Sequence, residues 1–255
     1  MSVNNFIKCY LKKMKTSWLN NQLNRDTWLE KSLKKIPVGF RILDAGAGEL
    51  KYKKYCTHLN YVSQDFAQYD GLGNNAGIQT GMWDNTKLDI VSDITCIPEA
   101  NTSFDAIMCI EVFEHLPDPI SAIKEFSRLL KENGFLIITA PFCSLTHFAP
   151  YHFYTGFNRY FYEKYLIDNG FEILEIVPNG NFFEYIIQEL MRVPFCAKKY
   201  SKTKISLIEK FFLLRLIKLL SKLSRKGESS SELLCFGFHI LAKKVTNTNL
   251  TKKIK

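Results

Sequence analysis

Acidic side chains recur just past apolar segments of this chain, and the first of them borders a glycine bend, Asp44-Ala45-Gly46-Ala47-Gly48-Glu49. Two glycines two apart let the backbone turn sharply and let a ligand approach the main chain where any Cβ would collide. No Gly-Lys-Ser or Gly-Lys-Thr follows, which excludes a nucleotide P-loop, and Lys51 stands where a dinucleotide fingerprint has its third glycine. Glu49 would repel phosphate from the amide groups that open the next element. Asp44 and Glu49 instead suit a cationic group, an ammonium or a sulfonium. Asp65 closes the second apolar segment, a place from which one carboxylate accepts both hydroxyls of a ribose. Asp93 closes the third and is placed to face an adenine amine, with Ile94 beside it. Ile110 closes the fourth as an apolar wall. Farther on, His147 and His152 lie in an aromatic run with Tyr151 and Tyr154. A neutral imidazole titrating near neutrality is matched to taking a proton from a hydroxyl, and tyrosines hydrogen-bond or stack on a sugar. Glu114 and His115 are adjacent, with no second His or Cys at metal-ligand spacing, so no metal site is expected there.

These residues need a scaffold that gathers the ends of several strands. The pattern predicts strands at 41–45, 61–65, 88–92, 104–110 and 134–140, with helices around 50–58 and at 119–131. Strand and helix in alternation mean parallel pairing through right-handed crossovers, hence an open α/β sheet whose ligands bind beyond the carboxyl ends of the strands. Further strands at 171–178 and 233–243 would complete the sheet. Five segments follow: an amphipathic helical start (1–36), a core (37–180), an inserted basic helical segment (181–231), a last core strand (232–245) and a basic tail (246–255).

With 255 residues, 46% of them hydrophobic, the chain can bury one sizeable core. Its seven cysteines, an odd set without a CxxC pair, read as reduced core residues and argue against disulfides or zinc. The charged lysines of the opening segment break any signal-peptide core, so a cytoplasmic protein is expected, with peripheral contact at the inner face of the membrane as an added reading. Between Lys198 and Lys226 ten basic residues face the single acid Glu209, a surplus equal to the chain's whole net charge of +9. The remainder is neutral, which speaks against a nucleic-acid partner. The helix expected over 205–226 sets Ile208, Phe212, Leu216, Leu219, Leu220 and Leu223 along one side among lysines. Its readings are an anionic membrane surface, its own domain, or a second copy in a homodimer.

In order, ILDAGAG, QDF, VSDI, CIEVFEHLPDP and GFLIITAPF resemble the class I S-adenosylmethionine-dependent methyltransferases over about residues 38–180. The resemblance implies a Rossmann-like sheet of seven strands, mostly parallel with an antiparallel last strand. It also implies S-adenosyl-L-methionine as cofactor, with Asp44, Gly46, Ala47 and Gly48 at its methionine part, Asp65 at the ribose, Asp93 and Ile94 at the adenine and Ile110 at its flank. The run from His147 through Pro150, Tyr151 and His152 resembles a subgroup associated with bacterial surface-glycan biosynthesis, which implies a sugar or glycan-pathway hydroxyl as acceptor and His147 and His152 as the catalytic pair. Where many of that subgroup have Asp-Tyr followed by Arg and Thr, this chain has His152-Phe153-Tyr154-Thr155-Gly156. EVFEHLPDP also resembles the O-methyltransferases of ubiquinone biosynthesis, which implies a small aromatic or quinone-type acceptor. Glu111, Val112, Phe113 and Glu114 stand where base-amine methylators carry a stacking aromatic tetrad.

Overall fold

The computed structural model describes residues 20–245, which divide into two compact units. One comprises 27–177 and 237–245, the other 20–26 and 178–236. The expected boundaries at 36/37, 180/181 and 231/232 therefore compare with divisions at 26/27, 177/178 and 236/237. The helical reading of residues 1–19 and the tail 246–255 lie outside the described residues.

In chain order the elements are α1 (Asn21–Leu33), β1 (Arg41–Ala45), β2 (Asn60–Asp65), β3 (Ile90–Val91), β4 (Phe104–Ile110), α2 (Pro119–Leu129), β5 (Leu130–Pro141), α3 (Arg159–Asp168), β6 (Phe171–Asn179), α4 (Phe182–Tyr200), α5 (Leu207–Ser224) and β7 (Gly237–Lys244). The seven strands form one sheet in the order β3-β2-β1-β4-β5-β7-β6. Pairs from β3 through β5 are parallel, and β7 runs antiparallel to β5. This is the expected Rossmann-like architecture. Strand order reverses beside β1, where β2 and β4 flank it, so a crevice opens past the ends of β1 and β4.

Burial on both faces explains the unbroken apolar runs of the central strands. Ile42, Leu43, Ala106, Ile107, Met108, Leu136, Ile137 and Ile138 are fully buried. Leu29 and Leu33 of α1 and Ile36 close the core on one side, against Ile42, Met108, Ile137 and Leu241. The start of α2 is fixed by Asp118, whose side chain accepts from the Ser121 amide, and by Pro119, which has no amide to leave unpaired.

Two sequence expectations need correction. No α-helix occupies 50–58. Leu50 has φ +59°, and the segment closes instead by three-residue hydrogen bonds, Lys53 to Leu50, Tyr55 to Tyr52 and Cys56 to Lys53, leaving a short 3₁₀ turn at Lys53–Tyr55. The third strand is two residues long, because Asp89 turns its carboxylate onto the Ser63 amide and hydroxyl and Ser92 closes back onto the Asp65 carbonyl. Among the described cysteines none is in a disulfide; Cys56, Cys109 and Cys235 are buried, while Cys96 is exposed and Cys143 and Cys196 are half-buried.

In the other unit, α4 and α5 pack through Ile187 and Ile217. Asn181 caps α4 by accepting from the Phe183 and Glu184 amides, and its side-chain amide donates to Ser224 at the end of α5. A capping box of Ser206 and Glu209 starts α5. Leu207, Ile208, Phe211, Phe212, Leu216, Leu219 and Leu223 of α5 are exposed. No helix among the described residues is long and apolar enough to cross a membrane.

Candidate functional site at the strand ends

The glycine bend leaves β1 with φ +80° at Gly46 and +49° at Gly48. The amides of Gly46 and Ala47 both donate to the Gln64 carbonyl at the end of β2, at 2.8 and 2.9 Å. The Gly48 amide donates to Asp65 Oδ2 at 3.0 Å, and the Ala67 amide to Asp65 Oδ1 at 2.9 Å. Asp65 thus ties the bend to β2 and keeps unused lone pairs, since a carboxylate accepts about four hydrogen bonds. A Cβ on Gly46 would lie 2.5 Å from Val112 Cγ2, and one on Gly48 2.6 Å from Trp83 Cζ2. Both positions require glycine for conformation and for space.

Asp44 lies beneath the bend, 1% exposed, with the Tyr61 hydroxyl donating to Oδ2 at 2.6 Å. Burial pushes its carboxyl up to about 7 against that hydrogen bond, and nearby Asp65 adds to the rise. Glu49 is exposed, and its Oε1 accepts from the Asp84 amide at 3.3 Å. Ala47, Ile94 and Ile110 are buried. Asp93 stands apart: it is exposed, and its Oδ1 accepts from the amide and hydroxyl of Thr95 at 2.8 and 2.7 Å, the work of a turn former.

Beyond the strand ends two long loops, 66–89 and 142–158, lock together. Ile78 pairs with His147 as an isolated bridge, the Ile78 amide donating to the Thr146 carbonyl and the Phe148 amide to the Ile78 carbonyl. Glycines permit this closeness, since a Cβ on Gly73 would meet the Ala149 carbonyl oxygen at 2.0 Å and one on Gly77 the Thr146 carbonyl oxygen at 2.4 Å. Tyr69 stacks on Phe148, and Trp83 meets both edge-on.

Phe148 also stacks on His115, with ring centroids 4.9 Å apart, and brings three imidazoles together. Ring centroids are 4.7 Å apart for His115 and His147, 4.9 Å for His147 and His152, and 6.0 Å for His115 and His152. Glu114, 1% exposed, faces them, with Oε1 3.7 Å from His115 Nε2 and 3.8 Å from His147 Nε2. Burial acts to raise the Glu114 carboxyl, but His147 and His115 hold it below the usual carboxylate range. Burial acts to lower His147, and its contact with Glu114 overturns that, leaving it raised. His115 is lowered by burial despite Glu114. His152 is lowered by burial and by the two neighbouring imidazoles, and its Nε2 lies 3.1 Å from Ser144 Oγ.

The fold therefore brings the expected pair His147 and His152 together, and separately the bend with Asp44 and Asp65. Val112 against Gly46 and Phe66 edge-on to Tyr151 join the two groups. Glu114, Trp83, Tyr69 and Phe148 carry the assembly without having been singled out for it in the sequence. Only the glycines of the 66–89 loop hinted at a close backbone approach.

Residues 43–138 match a family model described as a methyltransferase domain. Over 105 residues the chain is 30% identical to the ubiquinone biosynthesis O-methyltransferase of Xanthomonas oryzae pv. oryzae (strain PXO99A), which covers 40% of this chain and 43% of that protein. It is 37% identical over 78 residues to the enzyme of that name from Histophilus somni (strain 2336), covering 30% of this chain and 26% of that protein. The chain thus spans less than half the length of these curated relatives. Among solved structures, one described as a sarcosine dimethylglycine methyltransferase from Galdieria sulphuraria aligns with TM-score 0.52 and 17% identity, over 88% of this chain and 86% of that one. The phosphoethanolamine N-methyltransferase 2 of Haemonchus contortus in complex with S-adenosyl-L-methionine aligns with TM-score 0.50 and 18% identity, over 88% of this chain and 53% of that one. The chain shares a Rossmann-like α/β fold with these structures, and its residues 43–138 are similar to methyltransferase domains.

Proposed function

We propose that this chain is an S-adenosylmethionine-dependent methyltransferase that methylates a hydroxyl oxygen of a small acceptor. The observation that carries the reading is the pairing of a bare glycine bend, braced by Asp65, with an imidazole cluster that borders it through Val112. The residues fit the cofactor: a bend with glycine at positions 46 and 48, a carboxylate with unused lone pairs for a ribose, and a buried acid, Asp44, which a neighbouring cation would keep ionised. When bound, S-adenosylmethionine supplies a methyl group on a positive sulfur. Asp65 takes the ribose hydroxyls. Ile94 and Ile110 supply apolar walls, as the resemblance implies. His152, held neutral by its surroundings, accepts the proton of the acceptor hydroxyl, while His147, drawn to Glu114, orients it. The interlocked loops keep water from the reacting atoms.

The ubiquinone-type relatives support a small aromatic or quinone-type acceptor over the sugar or glycan-pathway hydroxyl that the 147–152 run suggested. Isothermal titration with S-adenosylhomocysteine tests the reading. Micromolar binding is expected, weakened by about 1–3 kcal/mol in Asp65→Ala. No binding, or an unchanged affinity in the variant, would remove it.

A second proposal concerns α5. Its exposed apolar side chains lie among Lys210, Arg215, Lys218 and Lys222, which suits an anionic lipid surface. Co-sedimentation with phosphatidylserine vesicles should fall when the four cations are changed to Gln, each contributing about 1 kcal/mol. A shift to dimers in sedimentation without lipid binding would favour a second copy instead.

A further inference from the structure

We infer that Glu114, His115 and His147 form a binding site for a divalent transition-metal cation beside the acceptor pocket. One ligand atom from each, a carboxylate oxygen and two imidazole nitrogens, lies within 4.8 Å of the others. Two imidazoles and a carboxylate are a donor set suited to zinc or manganese, which bind such atoms at about 2.0–2.2 Å. Ligands so bound stand roughly 3–3.5 Å apart around the ion, and the 3.7 and 3.8 Å separations from Glu114 Oε1 need only a small inward movement.

Both rings are also set for ligation from outside the cluster. His115 Nδ1 bonds the Tyr151 carbonyl and His147 Nδ1 the Leu145 carbonyl at 2.8 Å. A carbonyl only accepts, so each Nδ1 carries a proton, and each Nε2 is turned toward Glu114. The space between the buried carboxylate and the two Nε2 atoms calls for positive charge, which a proton on an imidazole or a bound cation supplies. The other Glu114 oxygen, Oε2, is buried without a hydrogen-bond partner, as though reserved for a further bond. A proton on one imidazole would satisfy Oε1 and leave Oε2 orphaned; a cation answers both.

The use of this site rests on the O-methyltransferase reading. An acceptor hydroxyl held at the cation loses its proton more readily, and His152, outside the ligand set, takes that proton. The new O–C bond forms as the C–S bond breaks, and its electron pair stays on sulfur.

Titration of the full chain with Zn²⁺ and with Mn²⁺, each alone, tests the site. One equivalent should bind, and His147→Ala and Glu114→Gln should each weaken it by more than about 100-fold, beyond the roughly 10–100-fold typical of residues one shell out. His58→Ala and His152→Ala should leave it unchanged. S-adenosylhomocysteine affinity, measured on the same samples, reports an intact core. Should a variant lose its fold, visible absorption of Co²⁺ bound to the unaltered chain still reports imidazole ligation. No metal binding with S-adenosylhomocysteine bound overturns the metal site alone. Metal bound without S-adenosylhomocysteine overturns the methyltransferase reading and keeps the site. Equal metal affinity in wild type, His147→Ala and Glu114→Gln overturns the assignment of these ligands.

Discussion

The glycine bend and the imidazole cluster are neighbours built by opposite means. In the bend, main-chain amides of residues 46–48 close onto the end of β2 through Gln64 and Asp65, so backbone geometry fixes the cradle. In the cluster, side chains from the turn after β4 and the loop after β5 meet around one buried carboxylate, and their protonation states depend on each other. The first region can bind with little adjustment. The second can change charge, which is what proton transfer requires, and it owes its shape to loops that could have been placed otherwise.

The sharpest way to break this contrast is His152→Ala. If the cluster is the chemical half, methyl transfer to a hydroxyl acceptor should fall by about 10²–10⁴-fold, with S-adenosylhomocysteine affinity kept. In wild type the rate should rise with pH through a value below 6.5, because His152 must be neutral and its surroundings lower it; the variant should lose that limb. Radiolabelled methyl transfer across a panel of phenols and sugars measures both.

Gly46→Ala strikes the other half. A positive φ and a Val112 contact at 2.5 Å should together cost about 2–4 kcal/mol, read as a lower urea midpoint with cofactor binding lost. Asp44 gives a smaller effect with a defined sign. Since its folded carboxyl titrates near 7, affinity for the cationic ligand should tighten roughly tenfold between pH 6 and pH 8 as the acid ionises, and Asp44→Asn should flatten that profile. Stability runs the other way. A carboxyl raised by folding contributes fully below the ordinary carboxylate range, and that contribution is lost as pH climbs through about 7. Asp44→Asn should therefore melt above wild type at pH 8.5 and lose the advantage at pH 5. The smallest effect belongs to Asp93→Ala, which should change cofactor affinity by less than about 1 kcal/mol, because its carboxylate serves Thr95.

The same contrast explains what the sequence disclosed. β1 and β4 could be read residue by residue, because both faces are buried and their apolar runs are continuous, and Asp65 could be set at the end of β2 because the strand pattern stops there. The segment 50–58 misled because its spacing of apolar residues suits a helix, while the positive φ of Leu50, set by the bend before it, does not. Asp93, expected at the adenine, also serves a turn, since a carboxylate past a strand does that as readily as it holds a ligand. The meeting of Glu114 with His147 had no local signal at all; it comes from the return of the chain after β5, which brings the Phe153 and Tyr154 amides onto the Glu114 carbonyl.

The close seating of Gly73 and Gly77 on the opposite loop carries a consequence for engineering. Each hydrogen-for-methyl exchange there works as a wedge of known thickness, driven between two main chains at a chosen point of the seam. The gap could thus be opened in graded steps without touching a group that reacts, turning two featureless positions into adjusters of how bulky a guest is admitted.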